Sequence, residues 1–503
     1  MEFHDVIVVG AGPNGLMAAA ELALAGVRPL VLERDHAPRE EMRANGMVGQ
    51  IVRLLDRRGL LSRLTGDAAP PRPADHFMFA AFPMPFHRLP DNPVHTVLVP
   101  QRRVEQVLAE RAAELGVRVV RGRAVTALSQ DADGVTVTTA DGTVHACSWL
   151  IGADGGRSTV RKLAGIGFPG ITHDRTVSRS VHVRLAPDAL DPDTRALRVP
   201  GFGEIPPFLH TRLDRGMVSF APFPDGRVMV NVSEVGADAG PSPDGGPPMT
   251  AEEFRAAFTR VVGVPGPFPE VTPVRRLTGG NTRLADRYRA GRVFLVGDAA
   301  HVHSAIGGNG LNLGLQDAVN LSWKVAAAVH GWAPPALLDT YESERRPAGA
   351  RVTMQTTAQG VLVGPGPEIT ALRTLVGELL QDPPALARIA ALISGADVAY
   401  PHTTRWAPDL TVDGRPLSEF TGTGRPLLID TTPDRRHARV AAGWAGRVTV
   451  VAGAGDASML IRPDGYVAWE DGDGLGAALT RWFGEPVHSH GSSSAGSATV
   501  SRT

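Results

Sequence analysis

Near the start of the chain, Gly10-Ala11-Gly12-Pro13-Asn14-Gly15 sets three glycines in G-x-G-x-x-G spacing. That spacing suits a strand turning into a helix beneath a pyrophosphate. Gly10 permits the tight turn, Gly12 lets a diphosphate approach the backbone, and Gly15 lets helix and strand pack closely. The helix after Pro13 and Asn14 offers unpaired N–H donors and the positive end of its dipole to a dianion. Glu33 stands about 20 residues farther on, closing a second strand pattern. Its carboxylate can accept hydrogen bonds from both hydroxyls of an adenosine ribose. It would repel a 2′-phosphate, so the site suits FAD or NAD and not NADP.

These residues work only if a βαβ unit holds them, and the flanking sequence predicts one. Residues 5–9 (DVIVV) read as a buried strand, 15–25 as a helix of good helix formers, and 27–33 as a second strand, with Gly26 at the helix end. Helical stretches follow at 47–64 and 103–115, and strands at 117–121, 135–139 and 144–151. Between about 176 and 283 the pattern changes to period-2 runs such as 217–221 and 227–232, with one helical stretch near 250–262. This predicts a mostly antiparallel β insertion carrying the substrate surface, with a mobile Gly/Pro-rich loop at 236–249. A strand at 292–296 and helices over 311–330, 336–358 and 368–394 restore the α/β pattern. Residues 400–410 read as a linker, and 411–484 as a further αβ unit with strands at 426–429, 447–451, 458–461 and 466–469. The tail from 488 is too polar to pack.

Composition narrows the classes. The 503 residues carry 51 Lys+Arg against 52 Asp+Glu, a net charge of -1, which argues against general nucleic-acid binding. No run approaches ~18 apolar residues, so no membrane span is expected. The opening MEFHDVIVVGAG lacks the basic n-region of a signal peptide, and Cys147 stands alone, so no internal disulfide or multi-thiolate metal site can form. A soluble cytoplasmic protein is expected. The 57 Gly and 41 Pro exceed ordinary usage, so the placement of the glycines carries the argument.

Two further glycine turns follow apolar strands. One is Ile151-Gly152-Ala153-Asp154-Gly155-Gly156-Arg157-Ser158. The other, Val293-Phe294-Leu295-Val296-Gly297-Asp298-Ala299-Ala300-His301, continues through Gly307-Gly308-Asn309-Gly310-Leu311-Asn312 into a helix. With three motifs in this order and spacing, the chain resembles the class A flavoprotein aromatic hydroxylases, the family with the para-hydroxybenzoate hydroxylase fold. It is most similar to the branch holding rifampicin monooxygenase and actinobacterial polyketide hydroxylases. The likeness spans about residues 4–485, including 316–324 (QDAVNLSWK) and 462–469 (RPDGYVAW).

The resemblance implies an α/β fold, α+β overall. An FAD-binding doubly wound sheet (1–175 and 284–398) would carry an inserted antiparallel β substrate domain (176–283). A thioredoxin-like C-terminal domain (399–486) and a disordered tail (487–503) would follow. It also implies site roles. Asp298 would hydrogen-bond a ribityl hydroxyl of FAD. Gly310, Leu311 and Asn312 would open a helix whose dipole faces the isoalloxazine and stabilises the anionic reduced ring. Asp154 would link the pyrophosphate region to NAD(P)H, with Ser158 and Arg161 capping and anchoring the next helix. Arg43 would reach the cofactor and Gln101 the ribityl chain. Arg34 and Asn14 would lie around the adenosine and pyrophosphate, and Val125 would touch adenine through its backbone. Plainer roles stand beside these: Asp298 as a helix N-cap, Arg43 and Arg161 as surface charges, Gln101 as a cap.

The implied activity is an FAD-dependent, NADPH- or NADH-consuming monooxygenase that hydroxylates a bulky aromatic of polyketide or antibiotic type with O2, through a flavin C4a-hydroperoxide. No catalytic acid or base is identified. Baeyer–Villiger insertion, flavin reduction without oxygen transfer, and a non-catalytic flavin-binding role stay open, as does a homodimer through the C-terminal domain. One departure is Ser304-Ala305-Ile306, where related chains carry proline; its loss frees φ and adds N–H donors beside the proposed oxygen site. Asn309, where Gln is commoner, is a milder change. The remaining features take plain readings. Gly453 to Ser458 forms an ordinary loop before a hairpin, and no C-x-x-C gives thiol redox activity. His301 and His303 mark a turn rather than a metal site, Cys147 packs in the core, and Trp323 and Trp332 are packing aromatics.

Overall fold

The computed structural model describes residues 2–38, 46–223, 226, 228–236, 247–304, 306–453, 455 and 457–487, with the side chains of 173–175 and 278–279 set aside. Arg43, Ala305, most of the loop expected at 236–249 and the tail from 488 lie outside the described residues.

Val6, Ile7 and Val8 are fully buried, as an apolar run in a central parallel strand requires. The strand Glu2–Val9 pairs in parallel with Val144–Gly152 on one side and Pro29–Glu33 on the other. Arg118–Arg121 and Val293–Leu295 extend the parallel order outward. The three glycine motifs therefore leave one carboxyl edge of the sheet from three adjacent strands, in the order Val293–Leu295, Val144–Gly152, Glu2–Val9. In an open α/β sheet that edge is where ligands sit. An antiparallel excursion, Val125–Gln130 with Val135–Thr139, joins the sheet through Val144–Gly152. Its first strand was not expected, since most of it is exposed and gives no apolar alternation.

The helical stretch expected over 47–64 divides. Met47–Val48 pairs with Thr96–Val97, and helices span Gln50–Arg57 and Leu61–Thr65. Gly59, at φ +67°, ends the first of them in the left-handed region. The stretch expected over 368–394 also divides, at Asp382 before a helix opening on Pro383.

The inserted sheet has six antiparallel strands, ordered His210–Leu213, Gly216–Pro222, Val228–Val235, Gly170–Arg184, Glu270–Leu284 and His301–Val302. Its long strands run past the expected limits, and its last strand begins three residues after Asp298. The helix Ala251–Val262 covers one face, burying Phe254 and Phe258 with Val218, Phe220, Val230 and Val232.

The C-terminal sheet runs Thr449–Ala452, Leu427–Asp430, Met459–Ile461, Val467–Glu470, one parallel pair followed by antiparallel pairs. Trp323 lies 6.3 Å from Trp482 and Trp332 lies 6.5 Å from Phe483, so both tryptophans pack the flavin-side helix against this unit. The linker expected at 400–410 is instead packed structure. Tyr400 is buried with its ring 4.0 Å from Tyr466, Ala407 is buried, and Arg57 lies 3.9 Å over the Trp406 ring. Its aromatics outweigh the Pro and Thr that suggested a linker. Cys147 is a core residue, its thiol pushed up to about 12 by burial, so no thiolate forms at neutral pH. Among the described residues no helix is long and apolar enough to cross a membrane.

Candidate active site

The first turn has the contacts its glycines predict. Gly10 sits at φ +109°, and a β-carbon there would lie 2.5 Å from the carbonyl oxygen of Ala153. A β-carbon on Gly15 would lie 1.9 Å from the Gly10 oxygen, whereas Gly12 faces open space with nothing within 4 Å. The helix Pro13–Leu24 starts at Gly12 with proline in its first turn and no side-chain cap, so its leading N–H groups are left for a ligand. Glu33 braces this turn by accepting from the N–H groups of Ala11 at 2.6 Å and Asp35 at 2.9 Å. The Arg123 N–H donates to the Glu33 carbonyl at 2.7 Å, which brings the segment entering Val125 beside the ribose position. Arg34 is more than half exposed, 3.6 Å from Asp35. These donors and this space fit an adenine dinucleotide.

Asn14 has a role the spacing did not suggest. A β-carbon at Gly297 would lie 1.9 Å from Asn14 Nδ2, and one at Gly314 would lie 2.4 Å from it. Asn14 thus fills the gap between the first helix, the turn at Asp298 and the long helix Asn309–Val329. Asp298 is exposed while Val296, Gly297, Ala299 and Ala300 around it are buried. It caps no helix, and its carboxylate takes no hydrogen bond from the described residues, which leaves it available to a ligand hydroxyl.

Asp154 is committed locally. Its oxygens accept from Ser158 Oγ at 2.5 Å and from the N–H groups of Thr159 at 2.7 Å and Val160 at 3.0 Å, while Ser158 Oγ accepts from Arg161 N–H at 2.9 Å. Arg161 is buried rather than a surface charge. It donates to the carbonyls of Ala299 at 2.9 Å and Gly156 at 3.0 Å, clamping the second motif to the third. Gln101 is the first residue of the helix Gln101–Glu114 and donates to Glu105 at 2.7 Å.

The long helix begins on Gly308, at φ +68°, again without a side-chain cap. A β-carbon on Gly310 would stand 3.7 Å from the His303 ring, and Leu311 is half-buried beside it. Asn312 donates to the Gly308 carbonyl at 3.0 Å and accepts from Val48 N–H at 3.2 Å, fixing the helix start against Met47–Val48. Where proline was expected, Ser304 Oγ accepts from Ile306 N–H at 3.4 Å, a weaker turn restraint.

Behind the turn at Asp298 lies a buried charge network that the sequence reading missed. Asp317 accepts from Gly297 N–H at 3.2 Å, from His301 Nε2 at 2.6 Å and from Arg345 Nε at 2.7 Å. Burial would raise its carboxyl, but Arg345 and His301 outweigh that and hold it low. Arg345 continues to Tyr400 Oη at 2.7 Å. Beside Arg345 in the chain, Glu344 accepts from both terminal nitrogens of Arg462, from Lys324 and from Asn320, each at 2.7 Å. Asp464 closes the group on Arg462 and on Asn320 at 2.8 Å. Asp317, Asn320 and Lys324 follow helical i, i+3, i+7 spacing on a largely buried helix, and that stripe was the available signal.

The other face of the inserted sheet lies away from the covering helix. Val218, Phe220, Val230 and Val232 point to the covering helix, so the alternating Ser219 and Asn231 point away from it. Register places His210, Ser219, Asn231 and Ser180 in one row across four strands. Asn231 donates to Ser219 Oγ at 3.1 Å. Burial pushes the His210 imidazole down to about 4, and its Nδ1 is buried without a partner.

Three glycine turns on one edge of a parallel sheet, facing an inserted antiparallel sheet, define a dinucleotide-binding flavoprotein architecture. Residues 4–356 match the FAD binding domain family, and 400–486 match the aromatic-ring hydroxylase C-terminal family. The chain belongs to the FAD-binding monooxygenases of the aromatic-ring hydroxylase family. It is 43% identical to a 12-dehydrotetracycline 5-monooxygenase/anhydrotetracycline 6-monooxygenase of Streptomyces rimosus, over 96% of this chain and 99% of that protein. It is 38% identical to a rifampicin monooxygenase of Streptomyces venezuelae, over 95% of this chain and 98% of that one. The solved anhydrotetracycline hydroxylase of Streptomyces rimosus superimposes with a TM-score of 0.82 at 40% identity, covering 96% of this chain and 100% of that chain.

Proposed function

We propose that this monooxygenase takes electrons from NADPH or NADH and hydroxylates a bulky aromatic of polyketide type. The observation that carries the reading is the uncapped start of the long helix, reached from Asp298 through the strand that joins the polar face of the inserted sheet. The relatives that act on tetracycline and rifamycin scaffolds point to the same substrate class. FAD, when bound, would supply the two-electron reduction and the activation of O2. The N–H groups after Gly12, with Pro13 and Asn14, would face its pyrophosphate, and Glu33, Arg34 and Val125 its adenosine, while Arg43 would reach the cofactor. Gln101 and Asp298 would hold the ribityl chain, Gly310, Leu311 and Asn312 the ring, and Asp154 the path toward NAD(P)H. Residues 1–175 with 284–398 would form the flavin domain, 176–283 the substrate domain and 399–486 the C-terminal domain.

His210 would orient the substrate. A neutral imidazole in a polar row can accept a phenolic proton in a hydrogen bond without adding charge to the pocket. His210→Phe is expected to lower kcat/KM for hydroxylation roughly tenfold, the loss of one buried hydrogen bond of about 1.4 kcal/mol, with FAD content unchanged. Steady-state kinetics on the FAD-loaded variant test this; an unaltered kcat/KM would remove His210 from the pocket.

The reaction itself is tested by oxidising NADPH and NADH with the FAD-loaded protein across a panel of aromatic polyketides under labelled O2. Stimulated oxidation with one labelled oxygen on a ring carbon supports the proposal. Oxygen inserted beside a ketone would assign Baeyer–Villiger chemistry, and FAD that neither nucleotide reduces would assign a binding role.

A further inference from the structure

At the opposite edge of the parallel sheet, about 20 Å from the first glycine turn at ~3.3 Å per residue, a second cluster of donors gathers. Glu2 and His4 alternate on one strand, and the register pairs Glu2 with His145 on its parallel neighbour, so all three side chains share one face. One ligand atom from each lies within 4.8 Å of the others, and His4 Nε2 stands 3.7 Å from Glu2 Oε2. His145 is only 7% exposed, yet neither ring nitrogen has a hydrogen-bond partner, and the buried His4 Nε2 makes no hydrogen bond, with Glu2 beyond hydrogen-bond reach. A neutral imidazole carries one N–H donor and one lone pair, and burying both without partners is costly.

We propose that Glu2, His4 and His145 form a binding site for a divalent transition cation of the Zn(II) class. Two imidazoles and a carboxylate are a common three-ligand set for that ion, with water in the fourth position. Tetrahedral donors at about 2.0–2.1 Å from Zn(II) stand roughly 3.3 Å apart, so side-chain movements of about 1.5 Å or less gather the set. Arg118 donates to both Glu2 oxygens, at 3.0 and 3.2 Å, and would serve as an outer partner that orients the carboxylate. The ion would staple the start of the first strand to Val144–Gly152, a structural role remote from the flavin edge.

The test uses the untagged, FAD-loaded chain, stripped with a chelator and titrated calorimetrically with Zn(II) alone. One Zn(II) per chain is expected, with Co(II) in its place giving the intense visible bands of a tetrahedral site. His4→Phe and His145→Phe keep an aromatic ring in place and should each weaken Zn(II) binding at least roughly a hundredfold, beyond the tenfold to hundredfold typical of outer-shell changes. Their FAD content and NAD(P)H oxidation should match the parent, which separates ligand loss from misfolding. Zn(II) should also raise the unfolding temperature of the parent and not of the double variant. No uptake by the parent, or equal uptake by the double variant, overturns the proposal.

Discussion

Arg462→Met is expected to destabilise the protein by roughly 3–5 kcal/mol, the cost of breaking a buried ion pair from one side. Arg462 is fully buried, and Glu344 and Asp464, which it neutralises together, are buried with it. Without the guanidinium, Glu344 keeps Lys324 as its one cation beside the Asn320 amide, and Asp464 keeps only that amide donor. Arg462→Lys should recover little, because one ammonium cannot make the paired contacts to Glu344 and those to Asp464 together. The readout is the denaturant midpoint of the FAD-loaded protein; a shift below about 1 kcal/mol, the worth of an exposed pair, would contradict the assigned network.

The same substitution should change acid stability with a defined sign. Burial would raise Glu344, but Arg462 and Lys324 outweigh it and hold the carboxyl at about 2. A carboxyl depressed on folding contributes stability that is complete above its unfolded value, near 4.5, and is lost as pH falls toward 2. In Arg462→Met the acid-unfolding midpoint should therefore move to higher pH. Because Arg462 belongs to the C-terminal sheet and Glu344 and Lys324 to the helices behind the flavin edge, this variant also asks what the C-terminal unit does here. It supplies Arg462 to Glu344, the partner of Lys324, and Asp464 to Asn320 on the long helix.

What the sequence made legible follows from range. G-x-G-x-x-G, the strand before it and the helix after it lie within 24 residues, so local pattern sufficed to place Gly10, Gly12 and Gly15. The βαβ period and the alternation in 217–221 and 227–232 were legible for the same reason. The unread features depend on partners distant in sequence. The local bonds of Asp154 to Ser158, Thr159 and Val160 could not be read from its motif alone. Residues 400–410 looked like a linker because Tyr400 meets Tyr466, and Trp406 meets Arg57, only in three dimensions. Glu2 and His145 are unrelated until strand register pairs them. The polar stripe Asp317, Asn320, Lys324 was local and could have been read.

Gly297→Ala should release FAD, with affinity lower by roughly a hundredfold. Two costs combine. At φ +61° an L-residue is strained by about 1–2 kcal/mol. The new methyl would also stand 1.9 Å from Asn14 Nδ2, so Asn14 would have to leave the gap it fills between the first helix and the turn at Asp298. Overpacking of that kind costs about 1–3 kcal/mol, and each 1.4 kcal/mol is about tenfold in binding. Since Asn14 opens the first helix and Gly297 precedes Asp298, the shift should disturb the pyrophosphate and ribityl contacts together. Gly308→Ala is the internal control: it sits at a similar φ of +68° with nothing within 4 Å, so it carries the backbone strain without the clash. FAD titration of the two apoproteins should show Gly308→Ala weakened no more than about thirtyfold, the strain alone, and Gly297→Ala well beyond it. Equal losses would mean that backbone strain alone, and not the Asn14 contact, sets the requirement for glycine at 297.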